Sequence, residues 1–198
     1  MSFRFDIIYE YREMFFYGAL TTLGITVVST FAGTILGLIG ALARVIRAEK
    51  GGFPVKVIIW LARQVSLLYV TLFRGTPLFV QIFIWYFVWF PILINPTDGL
   101  LISGDAAMEL RRNYGALIAG TLALSVNAGA YITEIFRAGI QSIDRGQVEA
   151  ARSLGLSYPQ AMRHIILPQA VRRMLPPFGN EFITLLKDSS LLSAIAVA

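Results

Sequence analysis

Apolar positions along the chain come in blocks far longer than the strands or amphipathic helices of a soluble domain. Residues 14–43 hold no Asp, Glu, Lys or Arg, and as a helix such a run is about 45 Å long, enough to cross a bilayer with some tilt. A second block, 54–95, is apolar and aromatic, yet it carries Arg63 and Gln64 and is interrupted at Arg74-Gly75-Thr76-Pro77. Glycine and proline at such a point end or break a helix. A third block is uncharged over 113–133 and predicts a span over 113–136, and a fourth, after Pro176 and Pro177, predicts one over 176–198. The pattern therefore predicts an all-α integral membrane helical bundle. It forms a single transmembrane domain over 1–198, with spans at 14–43, 54–95 (broken near 74–77), 113–136 and 176–198.

Charge places these blocks across the membrane. Arg44, Arg47, Lys50 and Lys56 follow the first block with Glu49 as the only acid, and six arginines stand between 137 and 173 against Asp144 and Glu149. Short loops rich in Lys and Arg stay in the cytoplasm, so both loops are expected inside and the N-terminus outside. Residues 1–13 mix both charge signs with aromatics, which suits an interfacial leader and not a signal peptide. Two arrangements fit 53–95, a pair of spans or one traversal broken at 74–77. The acidic loop at 95–113, with Asp98, Asp105 and Glu109, favours the second, because a pair of spans would return that loop to the cytoplasmic side.

The polar stretch 139–168, between two apolar blocks, carries two helix starts of its own. Asp144 with Gln147 is a capping-type start for a helix over 145–154, and Gly155 supplies the left-handed stop. Ser157 with Gln160 makes a second capping box, with Pro159 tolerated in the first turn and Pro168 expected to end that helix. Ala150 and Ala151 in the first helix let its backbone press close to a partner.

The order Glu149-Ala150-Ala151, Gly155, then Ile165-Ile166-Leu167-Pro168 resembles the EAA loop of bacterial ABC-importer permeases. Arg74-Gly75-Thr76-Pro77, Asn127-Ala128-Gly129-Ala130-Tyr131 and Lys187-Asp188-Ser189-Ser190 resemble motifs of the polar amino-acid uptake branch of that family. The resemblance implies a type I importer permease in the bacterial cytoplasmic (inner) membrane. About four traversals are present, and a further one is expected beyond Ala198. It also implies that Glu149, Ala150, Ala151, Gly155, Ile165, Leu167 and Pro168 couple the chain to a separate ATPase subunit, which would bind the ATP and Mg. The remaining implied partners are a second permease copy or a paralogue, an extracytoplasmic amino-acid-binding protein and a polar amino-acid substrate.

Composition agrees with a bilayer setting. The chain is 56% hydrophobic and 15% charged, against about 25% charged in soluble domains. Its net charge of +5 sits in loops at membrane edges and not in a basic face interleaved with aromatics, so nucleic acid is not an expected partner. With no cysteine and one histidine, His164, neither a disulfide framework nor a metal site is expected. No G-x-x-x-x-G-K-[ST] run is present, so the chain is expected to hold no cofactor and to have no catalytic residues.

Transport energy must then come from a partner or an ion gradient. An ion-coupled secondary transporter would need a carboxylate relay and usually an inverted repeat, neither of which is visible. A non-transporting scaffold would leave the charges within spans without a purpose. Asn127, Lys187, Asp188, Ser189 and Ser190 fall near the middle of their spans and are the candidates for one shared substrate pathway. Glu134 and Glu181, nearer the cytoplasmic ends, are expected to be satisfied by solvent or by a neighbouring arginine.

Overall fold

A computed structural model describes residues 9–46, 52–195 and 197. The leader residues 1–8, and Arg47, Glu49 and Lys50 of the first basic loop, lie outside that description. Helices α1 (Arg12–Val45) and α4 (Gly104–Gln141) form the most extensive pair, side by side and parallel. Their contact is built on small residues. A Cβ at Gly33 would stand 2.9 Å from Ala128 Cβ, one at Gly37 2.6 Å from Ile132 Cγ2, and one at Gly40 2.5 Å from Thr133 Oγ1. The bare backbone of one helix thus lies directly on the other, the packing that small residues spaced by about one turn permit in membranes. The glycine pair Gly33 and Gly37, four residues apart, has α4 as its partner.

Helix α2 (Phe53–Gly75) runs the opposite way. Ser66 Oγ donates to Gly40 O at 2.9 Å, and Tyr69 OH to Val126 O at 2.5 Å. After the break, helix α3 spans Leu78–Leu93, with a π-helical turn over Trp85–Trp89. Gln81 meets Asn127, Phe90 packs against Ala119 and reaches Gly115, and Ile94 joins Ala107 in the same cluster. Ser66 thus lies beside Gly40, which packs on Thr133, Tyr69 and Gln81 lie at Val126 and Asn127, and Phe90 and Ile94 lie at Ala119 and Ala107, so α2 and α3 both run antiparallel to α4.

Helix α4 begins nine residues earlier than the uncharged run suggests, at Gly104, and takes in Asp105, Glu109, Arg111 and Arg112. Its 38 residues make a helix of about 57 Å, well beyond the roughly 30 Å of bilayer hydrocarbon, so both charged ends can project from the apolar layer. An uncharged run marks the buried part of a helix, not its ends.

The last block departs further from expectation. Beyond α5 (Arg145–Ser153), α6 (Tyr158–Ala161) passes through a π-helical turn, Met162–Ile166, into α7 (Leu167–Asp188), and a 3-10 turn covers Ser189–Ile195. Pro168 does not end a helix; it sits in the first turn of α7. A proline ring crowds the carbonyl four residues back. Here the widened turn, in which Leu167 N–H bonds Met162 O, moves the hydrogen-bond ladder aside. Pro91 follows the other π-helical turn in the same way, where Phe90 N–H bonds Trp85 O. Helix α7 also continues through Pro176 and Pro177, so it starts before the expected residue 176. Packing supports it past them: Met174 lies on Gly139, and Phe178 stacks on Phe136 with centroids 6.3 Å apart.

The core joins Ile25 of α1, Ile82 of α3, Leu124, Ala128 and Ile132 of α4, and Leu185 and Leu192 after the prolines. The outer faces of α1 and α2 stay apolar, with Phe31, Ile39, Trp60 and Leu68 all well exposed. Water does not tolerate such a belt, whereas lipid or a partner helix does.

Candidate coupling segment and translocation grooves

Asp144 caps α5, its Oδ1 accepting from Gly146 N–H at 2.6 Å. The expected partner, Gln147, does not reach back; its side chain instead lies 3.5 Å from Gln169 Nε2 on α7. At the other end, Gly155 has φ +84, and Gly155 N–H bonds Arg152 O while Leu156 N–H bonds Ala151 O. This pair of bonds is a complete Schellman stop. Ser157 and Gln160 form the reciprocal capping box that opens α6, with Ser157 N–H on Gln160 Oε1 at 2.8 Å.

The two faces of α5 differ sharply. Ala151 is buried, and Val148 packs on the cluster of Ile143, Ile166, Ala170 and Met174. Glu149, Ala150 and Gly155 are exposed, and Leu154 is 83% exposed at the tip. Ile165 is half-buried beneath the segment, while Leu167 and Pro168 lie on the outside of the turn into α7. Arg173 Nη1 donates to Ser142 O at 2.5 Å, which ties the base of α7 to the end of α4. The short helix is thus seated on α6 and the π-helical turn that leads into α7, and it presents one face without a partner among the described residues.

Near the same end of the bundle, Glu134 of α4 accepts from Arg44 of α1 at 2.8 Å and from Arg137 Nε at 3.0 Å, and it also pairs with the Arg137 Nη2. A neighbouring arginine was the expected partner for Glu134. There are two, and one of them comes from a different helix.

The break between α2 and α3 is a built feature. Pro77 disfavours helical geometry at the residue before it, and Thr76 is extended (φ −117, ψ 147). The carbonyls freed by the break need donors, because an unsatisfied backbone group in hydrocarbon costs several kcal/mol. Gln81 supplies them, Nε2 donating to Phe73 O at 2.9 Å, Thr76 O at 3.1 Å and Thr76 Oγ1 at 2.8 Å. Its Oε1 accepts from Asn127 Nδ2 at 3.0 Å, and Asn127 also reaches Phe73 O at 3.3 Å. Arg74 leaves the end of α2 with its guanidinium 5.0 Å from the centre of the Tyr131 ring. Gln81 had a signal in the sequence, as the one amide in an apolar run four residues after a helix-breaking proline.

Two grooves flank this core. One of about 460 Å³ lies between the first half of α1 and the 3-10 turn and is lined by Ser189 and Ser190. The other, about 490 Å³, lies between α4 and α7 and is lined by Arg74, Tyr131, Glu134, Arg173 and Glu181 among others. Asn127 is buried and lines neither groove, so these grooves do not bring it together with Ser189 and Ser190. Its amide is used at the break. The two serine hydroxyls bond back to Leu186 O and Lys187 O, both at 2.7 Å, while Lys187 is exposed and Asp188 half-buried.

Residues 57–197 match the family described as "Binding-protein-dependent transport system inner membrane component". The probable glutamine ABC transporter permease protein GlnM of Bacillus subtilis is 36% identical over 96% of this chain and 75% of its own length. The glutamine transport system permease protein GlnP of Escherichia coli K12 is 36% identical over 100% of this chain and 78% of its own. Among solved structures, one described as an amino acid ABC transporter with histidines superposes with a TM-score of 0.74 at 35% identity, covering 99% of this chain and 78% of that one. The chain belongs to the family of binding-protein-dependent inner-membrane transport components, as a permease subunit of an ATP-driven amino-acid importer.

Proposed function

We propose that this permease carries polar amino acids inward along the side of α4, and that it receives its mechanical work at α5 from a separate ATPase subunit. The carrying observation is the division of α5 into a face packed on the turn that leads into α7 and a face left open. Val148 and Ala151 are committed to the chain, while Glu149, Ala150 and Leu154 have no partner among the described residues. A push on that face is passed to α7 through the cluster of Ile143, Ile166 and Met174, and to α4 through Arg173 and Ser142. Glu149 is the charge available to a basic residue of the ATPase, and Ile165, Leu167 and Pro168 shape the support behind it.

The basic bias of 137–173 supports a cytoplasmic position for α5, and with it an outward loop at 95–113 and an outward N-terminus. The shared antiparallel direction of α2 and α3 along α4 supports a single traversal broken at Arg74 to Pro77. In this arrangement the ATP and Mg belong to the partner, a binding protein delivers substrate on the outer side, and a second permease copy or a paralogue completes the complex. Relatives named for glutamine support a polar amino acid as cargo.

Uptake into vesicles reconstituted with the permease, its ATPase and its binding protein tests this reading. Accumulation of a labelled polar amino acid should require ATP inside the vesicle and persist when ion gradients are collapsed. Uptake that follows an imposed ion gradient without ATP would make the chain a secondary transporter, and no uptake under either condition would leave it a scaffold.

A further inference from the structure

The groove between α4 and α7 holds four charged side chains, and they fall into two kinds. Glu134 is satisfied by Arg44 and Arg137, and Arg173 by the carbonyl and hydroxyl of Ser142. Arg74 and Glu181 line the same groove, yet among the described residues neither makes a hydrogen bond or an ion pair, with each other or with anything else. Opposite charges beside apolar walls ordinarily close on one another, since each is costly to leave bare. These two are held apart by their supports. Arg74 is fixed at the last turn before the break and lies over Tyr131, and Glu181 is carried by α7 one turn beyond Pro177.

We infer that Arg74 and Glu181 are the two poles of a binding site for the part common to all free amino acids. The α-carboxylate meets the Arg74 guanidinium and the α-ammonium meets Glu181. The planar fork of arginine suits a carboxylate, and stacking on Tyr131 sets its plane before the ligand arrives. A volume of about 490 Å³ lies within the roughly 300–1,000 Å³ of small-molecule sites. The small, exposed Ala138 further along the groove leaves room for the variable side chain. This assignment rests on the transport reading above. It differs from the shared pathway of Asn127, Lys187, Asp188, Ser189 and Ser190 expected from sequence, since the Asn127 amide is engaged with Gln81 and Phe73 O at the break.

The test uses the assembled permease–ATPase complex in detergent, with Ala138→Cys as a reporter in a chain that has no native cysteine. The probe is a saturating mixture of free L-amino acids, compared with the same mixture as methyl esters, which lack the carboxylate, and as N-acetyl derivatives, which lack the ammonium. The free mixture should slow modification of the reporter by a thiol reagent about tenfold, and both blocked mixtures should fail to do so. Adding Arg74→Gln should abolish protection, whereas Arg74→Lys should retain part of it. Equal labelling with and without free amino acids, or equal protection by the esters, would overturn the site. Should that happen while vesicle uptake remains ATP-driven, the site alone fails. Loss of ATP-driven uptake by the unmodified complex would instead remove the transport reading on which the site rests.

Discussion

Glu134 holds two guanidinium groups from two helices, and both of its ion pairs are largely shielded from solvent, with side-chain exposures of 15–24%. Removing its charge leaves Arg44 and Arg137 facing each other without a counter-ion. Glu134→Gln should destabilise the α1–α4 pair by about 1–3 kcal/mol, more than Arg44→Gln, which leaves Glu134 with Arg137. Thermal unfolding of the detergent-solubilised complex at low salt checks the order, and an Arg44→Gln melting temperature equal to the parent's would show that the cross-helix pair contributes nothing. Sequence could place this glutamate near a helix end and anticipate an arginine. It could not supply Arg44, 90 positions away, because a contact between two uncharged spans depends on which small residues let them touch.

Elements were readable where the hydrophobic pattern is long and where a cap has a known chemistry. The span at 14–43, the interruption at 74–77, the Gly155 stop and the Ser157–Gln160 box all appear in the structure as expected from local rules. The errors have one physical source, which is that tertiary packing overrides local signals. Pro168, Pro176 and Pro177 read as breakers, yet a π-helical turn and the contacts of Met174 and Phe178 carry the helix past them. Asn127 reads as a substrate candidate because a lone amide in mid-span invites a function, and in the structure that amide bonds Gln81 Oε1 and Phe73 O. The break itself is therefore predicted to depend on Gln81. Gln81→Leu leaves Phe73 O with Asn127 alone and strips the Gln81 donor from Thr76 O at a cost of about 1–3 kcal/mol, and amide exchange over 73–76 should become faster in hydrogen-exchange mass spectrometry. An unchanged exchange pattern would mean that water already serves those carbonyls.

Across the whole molecule the proposed path of force is short: α5 to α7 through an apolar cluster, and α7 to α4 through Arg173 and the α4–α7 packing, beside the groove lined by Arg74 and Glu181. Gly155 sets the angle at which α5 leaves this frame. A Cβ at Gly155 would meet nothing within 4 Å, so space does not restrict the position; its φ of +84 does. A β-branched residue is strained there by about 1–3 kcal/mol, which it relieves by turning the end of α5 away from its seat on the turn that leads into α7. The most direct measurement of the central claim is ATP-driven amino-acid uptake by vesicles carrying Gly155→Val, matched to the parent for assembled complex and for basal ATP hydrolysis. Uptake, and stimulation of hydrolysis by the loaded binding protein, should both fall at least tenfold while basal hydrolysis persists. Full uptake by the variant would show that the work of the ATPase does not enter this chain through α5.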